Sequence, residues 1–276
     1  MRAEASLREF LTCRAEGDLL PWNAQCEASE RFGRSVAEIE AAALGWDLLP
    51  GRYRRNRETV SVADQLRLFS SRVGVIGCGG LGGYLIEQLA RLGVGTLVLL
   101  DPDFFEEHNL NRQLLSSPAD LGRAKVDVAR ERVAAINPAV TVEPHRTAFS
   151  RDNGRELLSG CSAVVDGLDN VLVRRELAAV CRDLAVPLVH GAIAGWYGQV
   201  AVQLPGADLS RLLRPTSSNG KGVETKLGNP SFTPAVIASL QTAELAKILL
   251  GRGKLLADRA LFVNLLDMEF DEIRHG

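Results

Sequence analysis

No two cysteines in this chain stand in C-x-x-C spacing, and none follows Cys181. The five present, at positions 13, 26, 78, 161 and 181, are odd in number. They suggest neither a disulfide framework nor a cysteine-built zinc site, so no zinc is expected. A surplus of one charge is missing too. Lysine and arginine number 32 against 34 acidic residues, the formal net charge is −2, and the isoelectric point is about 6.1. Without a basic field, nucleic acid is not the expected partner. No apolar run reaches the roughly 18 residues that a membrane span needs. Residues 1–10 carry charges of both signs and no apolar centre, so they do not read as a secretory leader. The expectation is a cytoplasmic protein, long enough for one large domain with an appendage or for two small domains. There are no internal repeats.

What the chain does have is a glycine cluster placed after an apolar run. Residues 73–82 read VGVIGCGGLG, and an apolar, helix-compatible stretch follows over 84–92. A strand ending at Ile76 would turn at Gly77. Gly79 would let a phosphate approach the backbone, and Gly82 would let the next helix pack against the strand. Free amide N–H groups at the helix start suit an anion. A second apolar run, 96–100, ends at Asp101, where an acidic residue is placed for ribose hydroxyls. The pattern predicts a nucleotide site.

Around this unit the chain alternates. The pattern predicts strands over 73–76, 96–101, 140–143, 163–166, 187–190 and 198–204, and helices over 83–92, 125–136, 152–158 and 171–184. Asp120 is the expected cap of the helix at 125. Such alternation means an α/β fold, a Rossmann-like and mostly parallel sheet with helices on both faces. Residues 205–230 interrupt it with a polar, turn-rich crossover loop that contains no cysteine. A helix over 233–250 carries Gln241, Glu244 and Lys247 on one face, and two strands, 260–265 and 268–273, close the chain as an antiparallel extension.

Residues 1–60 read differently. Residues 6–13 could form a helix that Pro21-Trp22-Asn23 breaks. Ser35 with Glu38 forms a capping box for a helix running to Gly45. The segment is too short for a core of its own, so an N-terminal helical arm over 1–60 is expected, with the nucleotide-binding domain over 61–276. Residues 52–57, RYRRNR, hold four arginines in six positions. They read either as a solvated linker or as an anion-binding arm. Cys78 and Cys161 read as small packing residues, and His190 as a core or rim histidine.

Three further motifs select the chemistry. They are Asn109-Leu110-Asn111-Arg112-Gln113, Gly122-Arg123-Ala124-Lys125 and Asp166-Gly167-Leu168-Asp169-Asn170. Ligands of open α/β sheets bind at the carboxyl ends of strands, where all three can converge. Arg112 and Lys125 would neutralise phosphates, and Asp169 would hold magnesium through oxygen. Hydride transfer needs none of these groups, whereas nucleotidyl transfer needs all of them. An NAD-dependent oxidoreductase would leave them unexplained.

The ordered set G-C-G-G-L-G, D-P-D, N-L-N-R-Q, G-R-A-K and G-L-D-N resembles the ThiF/MoeB/HesA superfamily, bacterial relatives of ubiquitin-activating enzymes. The resemblance runs from Arg52 to Ile273. It implies an adenylyltransferase that uses ATP and magnesium. Its acceptor would be the C-terminal glycine carboxylate of a small ubiquitin-like sulfur-carrier protein ending in Gly-Gly, with pyrophosphate released. By this resemblance Gly77, Gly79, Gly80 and Gly82 cradle the nucleotide, Asp101 takes the ribose and Asp103 stands nearby. Asn109, Arg112 and Lys125 face the phosphates, with Gln113 beside them. Asp169 is the magnesium residue, and Asn170 adjoins it. Members are typically homodimers in which an arginine before the first strand reaches the partner's ATP. The R-Y-x-R spacing makes Arg55 that arginine. The zinc cysteine pairs of many relatives are missing here, and so is a crossover-loop thiol. An ATP-dependent enzyme acting on a tRNA base or a small acid, a branch that also lacks those cysteines, stays open as an alternative.

Overall fold

The computed structural model describes residues 2–213 and 224–274. The chain begins with α1 (Arg2–Arg14), β1 (Leu19–Leu20), α2 (Trp22–Phe32), α3 (Val36–Gly45) and β2 (Leu49–Pro50). The first helix ends at Arg14, before Pro21, and Pro21 caps the start of α2 while Trp22 and Asn23 lie within it. Proline has no N–H to offer, and a helix's first turn requires none. Ser35 and Glu38 form the expected capping box, with the Ser35 amide 2.8 Å from the Glu38 carboxylate. A second box, Ser61 with Asp64, opens α4 (Val62–Phe69), a helix the sequence pattern did not reveal.

The expectation that this segment lacks a core does not hold. Leu7, Phe10, Leu11, Leu20, Ala28, Ile39 and Ala43 bury one another as a separate apolar cluster. The cluster is joined to the main body by a buried polar knot. Glu40 accepts from the Tyr53 hydroxyl at 2.7 Å and pairs with Arg52. Asn137 donates to the Tyr53 oxygen at 2.8 Å and to the Ala90 carbonyl at 2.9 Å, and accepts from Arg52 at 2.9 Å. Burial pushes the Glu40 carboxyl up, against the pull of Arg52 and Tyr53. Arg52 also lies over the Trp22 ring, 5.0 Å from its centroid. Of the two readings of the arginine-rich stretch, Arg52 therefore fits neither. It holds the N-terminal helices in place.

The sheet then follows. In chain order come β3 (Arg72–Ile76), α5 (Gly80–Leu92), β4 (Thr96–Leu100), α6 (Lys125–Ile136), β5 (Thr141–His145), α7 (Arg151–Leu157), β6 (Ala163–Asp166), α8 (Val171–Asp183), β7 (Leu188–Ala194) and β8 (Tyr197–Gln203). Within the crossover lies α9 (Glu224–Leu227), and after it come α10 (Phe232–Leu250), β9 (Arg259–Asn264) and β10 (Glu269–Arg274). Part of the expected crossover loop, residues 214–223, lies outside the described residues.

Eight strands form one sheet in the order β10-β9-β8-β7-β6-β3-β4-β5. The five from β7 to β5 are parallel, and β8, β9 and β10 are antiparallel. This is the expected α/β architecture. Alternate strand residues face opposite sides. Leu97 and Leu99 of β4 join α5, α6 and α10 in one core, while Val98 and Leu100 join α7 and α8 in the other. The chain passes from β3 out to β5 and then returns to the other side of β3 as β6. That reversal opens a crevice at the carboxyl ends of β3 and β6. Among the described residues, no helix is long and apolar enough to cross a membrane.

Candidate active site

A cavity of about 650 Å³ occupies that crevice. Its floor is the glycine loop. Gly77 has φ +94°, a conformation side-chain-bearing residues avoid, and its amide donates to the Leu100 carbonyl at 2.8 Å. A Cβ on Gly82 would lie 1.8 Å from the Gly77 carbonyl oxygen, so α5 can come this close only with glycine there. Gly77, Gly79 and Gly80 line the cavity. Gly82 does not; it serves the packing beneath. Gly79 caps α5 without any side-chain hydrogen bond, which leaves first-turn amides facing the cavity.

Asp101, at the end of β4, is buried at the cavity wall and tied to the loop. Its carboxylate accepts from the Cys78 amide at 2.7 Å and the Asp103 amide at 2.8 Å. Burial pushes its carboxyl up, and Lys125 opposes that shift. Lys125 is itself buried, with Nζ 3.0 Å from the Asp103 carboxylate. It opens α6 behind Ala124, which caps the helix without a side-chain bond. Asp120, the expected cap, instead bonds Ser117 at 2.5 Å and Arg123 at 3.0 Å. The first amide of α6 is instead met by backbone, the Lys125 N–H donating to the Asp103 carbonyl at 3.0 Å.

Arg112 lies half-buried along the opposite wall, where its guanidinium donates to the His108 carbonyl at 3.1 Å and to Asn111 at 2.9 Å. Gln113 is buried beside Gly79, and its side-chain oxygen has no hydrogen-bond partner among the described residues. Asp169 is exposed at the rim, and Asn170 caps α8 through the Leu172 and Val173 amides while lining the cavity. Asn109 departs from expectation. It is buried outside the lining, where its side chain accepts from the Glu106 amide at 3.0 Å and shapes the turn that presents Arg112.

Arg55 is exposed and does not line the cavity. Its neighbour Tyr53 touches Gly93, which ends α5, whereas the cavity sits at the helix start. A helix of 13 residues puts about 20 Å between those ends.

Sequence reasoning missed several wall residues. Ala148, Phe149, Leu168 and Val173 give an apolar side suited to a base. Arg174 and Asn229 also line the cavity. Asn229 comes from the end of the crossover loop and accepts from Asn111 at 3.2 Å through its carbonyl. No local pattern marks it.

Beneath the cavity His190 is fully buried, as its core reading expected. Its Nδ1 lies 2.7 Å from the Asp166 carboxylate, and its Nε2 lies 3.1 Å from Gln199. Burial holds its pKa below the ordinary histidine value, with Asp166 pulling the other way. The unfolded chain then takes up a proton near pH 6.5 that the folded chain refuses. Stability is fully present above that value and falls as pH drops below it, by up to about 1.4 kcal/mol per pH unit. Denaturant unfolding between pH 7.5 and 5 should show this slope in the native chain and a flatter one in His190→Asn. Equal slopes would refute the assignment.

The site can bind an anion-bearing nucleotide against backbone amides, neutralise it with two cations and present a carboxylate to a metal. The class so defined is a nucleotide-binding α/β protein equipped for nucleotidyl transfer. Its relationships agree. The ThiF family pattern matches residues 53–276, and the chain belongs to that family. It is 38% identical over 226 residues to the SAMP-activating enzyme E1 of Haloferax volcanii, covering 80% of this chain and 84% of that protein. It is 36% identical to the molybdopterin-synthase adenylyltransferase of Salmonella typhimurium, with 76% and 85% covered. It is likewise 36% identical to the sulfur carrier protein adenylyltransferase of Thermus thermophilus, with 80% and 86% covered. Among solved structures PaaA aligns with a TM-score of 0.69 at 25% identity, covering 81% of this chain and 72% of that one. E. coli MccB aligns at 0.71 with 20% identity, covering 82% and 69%, and is a likeness of fold.

Proposed function

We propose that this chain adenylates the C-terminal glycine carboxylate of a small ubiquitin-like sulfur-carrier protein, using ATP and releasing pyrophosphate. The observation that carries this is the meeting of Arg112, Lys125 and Asp169 around the Gly77–Gly80 backbone. The names of the three relatives support it: one activates SAMP, one adenylates molybdopterin synthase and one adenylates a sulfur carrier protein. The acceptor carboxylate attacks the α-phosphorus, the bond to the bridging oxygen breaks, and pyrophosphate leaves with that electron pair. The Gly79–Gly80 amides hold phosphate oxygens. Arg112 and Lys125 offset the charge that gathers on the leaving group. Asp101 holds the ribose.

The donor set also fits magnesium. Among the described residues no cluster of three or more His, Cys, Asp or Glu side chains could hold a metal alone. Magnesium asks for less, commonly one or two carboxylates with phosphate oxygens and water. Asp169 at the rim supplies such a carboxylate, and the bound cation would contribute charge neutralisation at the phosphates. Hydride transfer to or from NAD would need none of Arg112, Lys125 and Asp169.

The test is ATP–pyrophosphate exchange with candidate carriers ending in Gly-Gly. Exchange that depends on a carrier, and stops when its final glycine is removed, is the expected result. Exchange with a tRNA or a small acid alone would replace the reading with the alternative, and tight NAD binding without exchange would overturn it.

The acyl-adenylate is the product we expect, with no thioester on the enzyme. Cys78, Cys161 and Cys181 are buried, and burial raises all three thiols. Residues 205–230 contain no cysteine. Mass spectrometry after a single turnover should find no reducible carrier adduct. One that disappears in a Cys→Ala variant, exposed Cys13 included, would contradict this.

A further inference from the structure

The loop that carries Asp169 is fastened from below. Asp166, the last residue of β6, is 1% exposed, and each of its carboxylate oxygens is engaged. One accepts from the Leu168 amide at 2.9 Å. The other meets His190 Nδ1 at 2.7 Å and lies 3.4 Å from Arg174 Nε. Arg174 reaches over to donate to the Leu168 carbonyl. Both backbone groups of Leu168, the residue before Asp169, are therefore held by one buried set of side chains. Gln241 of α10 adds a bond to the Asp166 carbonyl at 2.9 Å. On the far side Asn170 is fixed as the α8 cap. Asp169 is the exposed side chain in the middle, with both neighbours pinned.

We propose that His190, acting through Asp166 and Arg174, is a positioning residue that sets where the Asp169 carboxylate points, and so sets the affinity of the nucleotide-bound site for its divalent cation. This rests on the reading of Asp169 given above. The hydrogen-bond chain has a direction. A neutral His190 donates from Nδ1 to Asp166 and accepts at Nε2 from the Gln199 amide, which fixes the ring on two sides. His190, Asp166, Gln199 and Gln241 lie outside the cavity lining, and the chain of contacts reaches the cavity through Arg174 and Leu168, which line it. Such outer contacts to a ligand's support commonly govern metal affinity by about 10–100-fold. An apolar residue at 190 would leave one Asp166 oxygen to Arg174 alone and loosen the turn.

The experiment titrates manganese, as the probe ion, into the enzyme saturated with a non-hydrolysable ATP analogue, read by electron paramagnetic resonance. Exchange rates are followed in parallel. His190→Leu is expected to weaken manganese binding by about 10-fold while cation-free analogue binding changes less than about 2-fold. His190→Asn, which can keep a donor toward Asp166, should recover most of the loss. Gln199→Met, a milder change on a partly exposed residue, should weaken the ion by about 3-fold and covers the case in which His190→Leu does not fold. Combining His190→Leu with Asp169→Ala should add nothing to the loss caused by Asp169→Ala alone. Unchanged manganese affinity in folded His190→Leu, or in Gln199→Met should His190→Leu not fold, would overturn the proposal, as would fully additive losses. An Asp169→Ala variant that binds manganese normally would instead remove the reading beneath it.

Discussion

Arg112→Ala and Lys125→Ala are each expected to slow carrier-dependent exchange by about 10²–10³-fold, since each removes a preorganised charge at the reacting phosphates. The two are held differently. Lys125 is buried against Asp103, so its loss leaves that carboxylate beside Asp101 without a counter-charge, and ATP binding should weaken as well. Arg112 is held mainly through the His108 carbonyl and Asn111, so its loss should fall more on the rate than on the affinity. Asp169→Ala should remove the response to magnesium together with the activity. Steady-state exchange, with ATP affinity measured separately, tells these outcomes apart. Near-native rates in the folded variants would dismiss the assignment of the site.

Arg55→Ala should abolish exchange although Arg55 is remote from the cavity of its own subunit. An arginine side chain cannot cover the length of α5 that separates them. If the protein is a two-fold dimer, the same arginine can enter the neighbour's site, where its planar head would neutralise the terminal phosphates. Arg55→Ala should then be inactive yet still dimeric. Mixed one to one with Asp169→Ala, it should regain about a quarter of native activity, because half of the dimers are hybrids with one complete site each. A mixture that stays inactive while subunits exchange, or an active protein that sediments as a monomer, would rule the trans arginine out.

The nucleotide half of the fold was readable because its constraints are local. An apolar run, a positive-φ glycine and an acid at the end of the next strand lie within thirty residues, and Gly77, Gly82 and Asp101 occupy the places their spacing implies. Alternating strands and helices gave the sheet for the same reason. What escaped was decided between distant segments. Asn109 belongs to a motif that points at phosphates, yet the turn it caps draws its side chain inward. Arg52 and Arg55 are indistinguishable in composition, and only the packing of Trp22 and Glu40 assigns one of them to the interior. The fastening of Leu168 joins side chains from three separate elements, β6, α8 and β7, and no short pattern records it. Pro21 reads as a helix breaker, yet α1 ends at Arg14 well before it and Pro21 stands as the N-cap of α2, where its missing N–H costs nothing.

The family pattern starts at Tyr53, but the unit that melts together need not start there. Tyr53 donates backward to Glu40 and accepts forward from Asn137, so the first residue of the pattern is a rivet through both parts. A chain cut just before it would keep every residue of the pattern. It would also strip Asn137 of its Arg52 donor, leaving its side-chain oxygen to the Ala139 amide alone, and leave the buried Tyr53 hydroxyl without an acceptor, at about 1–3 kcal/mol for that unpaired group. Those groups sit where α5 and α6 end, and the opposite ends of the same two helices present Gly80 and Lys125 to the cavity. The N-terminal helices thus anchor the tails of two levers whose heads line the cavity, and a fragment drawn at the pattern's border would hold those heads less firmly than the longer chain does.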